Sequence, residues 1–187
     1  MGFSAQNAQA RSVPIFVVAA ILCFLTALVT DRLQHRFSFC IAGIAVSSAG
    51  YILLLCQQRL PVGVCYFALY LVMGGAYMTQ PITLVWLANN VSGHYKRSIS
   101  SAAQVGFGNL AGITASNIFY TSDAPLYRVG YGVSLGLLWL CAAGCLLLFL
   151  GVRRENTRRN RGDRDTRLLE EDVHNMGDDH PHWRFTT

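Results

Sequence analysis

The chain has 187 residues, of which 52% are hydrophobic and 13% charged. A soluble globular domain averages about 25% charged residues, so this composition excludes an ordinary soluble domain. The net charge of +5 belongs to the tail, because seven of the fifteen basic residues fall between Arg153 and Arg167. It marks no nucleic-acid surface, and no nucleic-acid partner is expected.

Five long stretches carry no Asp, Glu, Lys or Arg: between Arg11 and Asp31, Arg36 and Arg59, Arg59 and Lys96, Arg97 and Asp123, and Arg128 and Arg153. Each contains a hydrophobic run able to cross a bilayer, which takes about 20 helical residues. A spanning segment satisfies its own backbone hydrogen bonds and avoids charge. The expected fold class is therefore an all-α membrane protein with a lipid bilayer around it. Residues 1–12 are read as an external leader with no cleavable signal peptide. The transmembrane region is expected over 13–152, with helices at about 13–30, 37–56, 61–88, 98–120 and 130–152. Pro81 should kink the long third span, since proline removes a helix hydrogen bond and clashes with the preceding turn. Residues 153–187 should extend the last helix briefly and then become a disordered tail, basic at first and then of mixed charge.

Basic residues in short joints set orientation. Arg32 and Arg36, Lys96 and Arg97, and the Arg153–Arg167 cluster fall on one side, against Arg11, Arg59 and Arg128 on the other. The richer side, with the C-terminus, is expected to be cytoplasmic. Five spans then place the N-terminus outside, so segments before Met1 are expected to be missing.

The polar residues within spans are the candidates for chemistry. Asp31, Arg32 and Arg36 suit a charge latch between helices, or a solvated joint that only sets topology. In the third span Gly74, Gly75, Tyr77, Thr79, Gln80 and Pro81 mark either a bend with a binding site or an ordinary kinked helix. In the fourth, Gln104, Asn109 and Asn117 either bond neighbouring helices or line a cavity. Gly108 with Gly112, and Gly132 with Gly136, have the spacing that lets helices approach closely in lipid. Gly106-Phe107-Gly108 is not a dinucleotide fingerprint, because no strand precedes it and no acidic residue follows at the required distance. The six cysteines show no zinc-site spacing and are read as buried packing residues, with only Cys56 and Cys65 near enough in sequence to pair. His180-Pro181-His182 with Asp178 and Asp179 lies in the tail, where a preorganised metal site is not expected. No metal, cofactor or catalytic constellation is expected, and the chain is not read as an enzyme.

The segment Trp86-Leu87-Ala88-Asn89-Asn90-Val91-Ser92-Gly93-His94-Tyr95-Lys96-Arg97 resembles the joint between the tenth and eleventh helices of the fungal anion:cation symporters. That family belongs to the major facilitator superfamily and includes allantoate permease and nicotinic acid transporter relatives. Gln104 to Gly112 resembles its eleventh helix, and Asp123-Ala124-Pro125-Leu126-Tyr127 the loop that follows. Arg153-Arg154-Glu155-Asn156 and Gly177-Asp178-Asp179-His180-Pro181 are similar to its C-terminal region. Val13 to Ala20 resembles the start of its eighth helix, with Ile15 where a second proline is usual.

The resemblance implies helices eight to twelve of a twelve-helix transporter, hence a truncated gene product or gene model. It also implies a secondary active transporter, proton-coupled and carrying a small organic anion, in the plasma membrane. Gly74, Tyr77, Gln80, Gln104 and Asn109 would face the substrate cavity, and Asp31, Arg32 and Arg36 would form the gate latch. No carboxylate lies within a span, so no proton carrier is named. The isolated five helices are expected to be transport-incompetent. A second reading is a non-transporting membrane protein that assembles with partner helices of another chain.

Asn90-Val91-Ser92 is an N-glycosylation sequon, and glycosylation occurs on the lumenal side. On the expected topology Asn90 carries no glycan. Glycosidase treatment should leave the mobility of the chain unchanged, and a shift abolished by Asn90→Gln would invert the orientation.

Overall fold

In a computed structural model the described residues are 5–33, 35–119, 123–124, 126–164 and 177–186. They form five helices: α1 (Ala5–Leu33), α2 (Arg36–Leu55), α3 (Val62–Asn90), α4 (His94–Ile118) and α5 (Arg128–Asn160). A single 3₁₀ turn, Gln57–Arg59, joins α2 to α3, and no strand occurs among the described residues. The all-α architecture agrees with the sequence reading. Its N-terminal boundary differs, while the extension of the last helix past Val152 is as expected. α1 starts at Ala5, so the expected leader is largely helical, and α5 runs on to Asn160 through the polar residues after Val152. Tyr120, where the fourth span was expected to end, lies outside the described residues, as do Pro125 and residues 165–176.

Four of the five helices (α1, α2, α3 and α5) are long and apolar enough to cross a membrane. The expected fourth span is the exception. α4 carries Lys96 and Arg97 in its first turn and then Gln104, Asn109, Ser116 and Asn117, with four serines or threonines among its other residues. It also has no buried residue. Its apolar side chains Phe107, Leu110 and Ile113 are exposed.

The bundle is built on the α2–α3 pair. Helix α2 turns Gly43, Ser47, Gly50 and Leu54 inward, and α3 answers with Ala68, Gly75, Thr79, Ile82 and Trp86. Both sets recur at steps of three, four or seven residues, which is one face of a helix. Small residues let the backbones meet. A Cβ at Gly75 would strike the carbonyl of Gly43, and one at Gly50 would come within 2.8 Å of the Ala68 carbonyl. Ser47 Oγ donates to the Val72 carbonyl at 3.0 Å across the same seam.

Helix α1 packs on the other side of α3 through Ile15, Ala19, Thr26 and Thr30. The two buried threonines donate to the carbonyls of Leu22 and Thr26, four residues back, so no polar group is stranded. Helix α5 packs on α2, where Phe37 stacks on Phe149 with ring centroids 4.3 Å apart. Cys40, Ile82, Trp86 and Cys145 complete a buried cluster there.

The glycine pairs singled out from sequence do not make these contacts. A Cβ at Gly108, Gly112, Gly132 or Gly136 would meet nothing within 4 Å. Spacing alone records what a helix permits, and no other helix among the described residues comes within 4 Å of a Cβ at those four. The close α4–α5 approach is at Gly130, where a Cβ would come within 2.6 Å of the Phe119 ring. The cysteines are all free thiols, with Cys40, Cys65 and Cys145 buried but Cys56 and Cys141 exposed.

The expected disordered tail also differs. Residues 177–186 fold back onto the ends of α3 and α5, with Pro181 buried. The rings of His180 and His182 lie 5.4 Å apart in this segment, tilted at 42°. No group of three or more metal-ligating side chains suited to an ion is found among the described residues.

Overpacking a tight core contact costs about 1–3 kcal/mol or more. Gly75→Leu should therefore abolish the folded yield of the chain in detergent, whereas Gly112→Leu should leave it within about 0.5 kcal/mol of the parent. Size-exclusion profiles and thermal melts of the two variants measure the difference.

Candidate functional site

The basic residues Arg36, Lys96 and Arg159 gather at one end of the bundle. Arg36 opens α2, next to Phe37, whose ring reaches Trp86 near the end of α3 and Phe149 on α5. Lys96 lies in the first turn of α4 and bonds Asp178 of the folded-back tail at 3.0 Å. That bond holds the Lys96 ammonium above the ordinary lysine range.

Of the expected latch residues, the structure joins two. Arg36 and Asp31 form an ion pair at 3.7 Å between α2 and the last turns of α1. Their environments are unequal: the Arg36 side chain is 7% exposed and that of Asp31 71%. A pair with one partner in open solvent contributes about 0–1 kcal/mol. Arg32, next to Asp31 in α1, is exposed. Beside the pair is a cavity of about 90 Å³ lined by Thr30, Asp31, Arg36, Pro81, Ile82 and Val85. Arg36 Nε is buried there without a hydrogen-bond partner. The latch thus meets α3 at its proline, the one interior position where that helix lacks a backbone donor.

The five residues expected to share a substrate cavity do not share one in this chain. Gly74 is buried between α3 and α1, where a Cβ would sit 3.0 Å from Leu22 Cδ1. Tyr77 is half-buried, its ring edge-on to Phe16 of α1 at 6.3 Å. Gln80 and Asn109 are exposed. Gln104 lines a sizeable cavity, of about 550 Å³, between α3, α4 and α5. Its other walls include Thr83, Trp86, Asn90, Cys141 and Cys145. The geometry explains the split. Residues 104 and 109 are five positions apart, about 140° around an α-helix, and cannot face one cavity on a narrow seam.

Gln104 Oε1 is buried without a hydrogen-bond donor. An unsatisfied buried acceptor costs about 1–3 kcal/mol. It is therefore the group in this cavity best placed to receive an N–H or O–H from a bound molecule. The rest of the lining is largely apolar, which suits a small organic molecule with one or two polar groups.

Sequence reasoning overlooked Trp86 and Asn90. Neither was read as lining a cavity, yet Trp86 is 1% exposed and both line the larger one. A tryptophan one turn from an asparagine at the end of an apolar span was the available signal, because both carry donors that need partners at a membrane boundary.

No family model and no solved structure matches the chain. It is similar to curated fungal proteins. It is 31% identical to the MFS-type transporter cnsO of Penicillium expansum, over 99% of this chain and 37% of that protein. It is 30% identical to an uncharacterized transporter of Schizosaccharomyces pombe, over 86% of this chain and 32% of the relative. A third relative is the high-affinity nicotinic acid transporter of Saccharomyces cerevisiae, 29% identical over 85% of this chain and 29% of its own length. The chain thus spans about a third of the length of these relatives. They are named as transporters rather than enzymes, and, with the apolar helices, they identify this chain as an integral membrane protein whose homologues include fungal MFS-type transporters.

Proposed function

We propose that the chain supplies five helices, corresponding to helices eight to twelve of a major facilitator fold, to a secondary active transporter. Its substrate is a small organic anion, a carboxylate or vitamin-like acid, moved together with a proton across the plasma membrane. The observation that supports this most is the similarity to an MFS-type transporter along 99% of the chain. The name of the nicotinic acid transporter relative supports the substrate class. The relatives' names do not mention symport. Proton coupling is part of the proposal.

In this reading Gln80 on α3 and Asn109 on α4 face complementary helices, while Gln104 meets substrate in the cavity between α3, α4 and α5. The exposure of Gln80 and Asn109 supports this, because polar side chains within a membrane face another helix or a water-filled cavity. Gly108, Gly112, Gly132 and Gly136 then serve contacts with helices beyond these five. Asp31, Arg32 and Arg36 form a latch whose opening accompanies rocking of one half against the other. The end that gathers Arg36, Lys96 and Arg159 is cytoplasmic, in keeping with the excess of basic residues there.

Five helices on one side of a central cavity cannot alternate its access. Expressed alone, the chain should take up no nicotinate above a vector control. Co-expressed with the first seven helices of a related transporter, it should give saturable, pH-dependent uptake. Saturable uptake by the chain alone would overturn the proposal. Failure to complement, with the chain captured instead on another membrane protein, would favour the interaction-protein reading.

Gln104 separates stability from function. In the isolated chain Gln104→Met removes an unpaired acceptor and should raise the melting temperature, equivalent to about 1 kcal/mol. In the complemented transporter the same change should raise KM at least about tenfold, the size of one lost hydrogen bond of about 1.4 kcal/mol. A lower melting temperature and unchanged KM would remove Gln104 from the site.

A further inference from the structure

Two asparagines on different helices grip consecutive peptide units of the C-terminal segment. Asn90, at the end of α3, receives the Thr186 N–H on Oδ1 at 2.8 Å and donates from Nδ2 to the Thr186 carbonyl at 3.1 Å. Asn156, on α5, receives the Phe185 N–H at 3.0 Å and donates to the Phe185 carbonyl at 2.8 Å. Each side-chain amide thus pairs with both polar groups of one residue, as a neighbouring strand would. Trp86 Nε1 adds a bond to the Thr186 carbonyl at 2.9 Å.

Arg159 completes the cradle. One of its terminal nitrogens donates to the carbonyls of Asp178, His180 and Trp183 at 2.9, 3.2 and 3.2 Å. Its guanidinium lies 4.5 Å from the centre of the Phe185 ring, in cation–π geometry. The Arg159 side chain is only 4% exposed, and Glu155 balances its charge at 3.2 Å. These helix residues read the main chain and one aromatic ring. That is the recognition pattern of a site for an extended peptide.

We propose that the ends of α3 and α5 form a docking site for an extended peptide bearing one aromatic residue, filled here by the chain's own residues 177–186. The docked segment is a releasable strap that closes one end of the cavity between α3, α4 and α5. Trp86 and Asn90 carry the inference, since they line that cavity and also bond the segment. The strap is held mainly by hydrogen bonds, each contributing about 0.5–1.5 kcal/mol net. The α2–α3 seam is held by backbone contact over its length. The strap therefore opens without the helices opening. This inference does not depend on transport.

Hydrogen exchange on the full chain in micelles, read at the Phe185 and Thr186 amides, tests it. Both amides should exchange at least about tenfold slower than in a free peptide and at least about tenfold faster than amides of the α2–α3 seam. Asn156→Leu, or, if that variant does not fold, Thr186→Pro read at the Phe185 amide alone, should abolish the protection and leave the seam unchanged. Alkylation of Cys145, which lines the cavity, should then accelerate about tenfold relative to the exposed Cys56 in the same molecules. Unprotected amides in the parent, exchange only in step with the α2–α3 seam, or an unchanged Cys145 rate once protection is lost would each overturn the strap.

Discussion

The contact between Gly43 and Gly75 governs this bundle. No Cβ stands between the two backbones at that point, so α2 and α3 lie close enough for Ser47 to bond the Val72 carbonyl. In lipid, helices gain little from hiding apolar side chains from one another, and close packing with hydrogen bonds must hold them together. α2 and α3 have the most extensive contact in the chain, and α1 and α5 are placed by it. α1 lies along the free flank of α3, and α5 along α2 through Phe37 and Phe149. Both candidate cavities are consequences. The smaller opens where α1, α2 and the proline of α3 diverge, and the larger where α4 fails to close against α3 and α5.

The architecture was legible because charge is the dearest cargo in a bilayer. Five charge-free stretches delimit five helices, and their order needs no tertiary information. The limits of that reading are also physical. Gly108, Gly112, Gly132 and Gly136 have the spacing of packing glycines as clearly as Gly43, Ser47 and Gly50 do. Spacing describes one helix face, whereas packing needs a second. The facing residues Ala68, Gly75 and Thr79 lie in the next helix, and only matching the two patterns would have singled out the seam. At residues 177–186 the disordered-tail reading failed for a related reason. Composition reports whether a segment can form its own core. It cannot report that Asn90, Asn156 and Arg159, distant in sequence, supply ready-made partners for that segment's backbone.

The candidate site was legible in residue type more than in arrangement. Gln104 stands out as an amide within an apolar stretch, and the structure leaves its acceptor unpaired in the larger cavity. Asn109 has the same credentials and faces the other way. Asp31 and Arg36 do pair, yet the burial of Arg36 against Pro81 and Ile82 could not be read from the joint sequence. In each case chemistry is local and therefore readable, while facing is a property of neighbours.

The unequal pairing at the latch bears on what holds each end of the bundle. Asp31 is open to solvent, so the bond to Arg36 contributes little, and the unpaired Nε leaves part of the buried guanidinium's desolvation cost uncompensated. At Arg159 the same side-chain type, equally buried, has a carboxylate, three carbonyls and an aromatic ring around it. The two arginines therefore behave differently although they lie at one end of the molecule. Arg159 is a satisfied anchor, which fixes the strap to α5. Arg36 retains an unused donor beside a small cavity, and a second acceptor arriving there would be favoured. A latch must be able to exchange partners, and of the two sites only the one at Arg36 has bonding capacity in reserve.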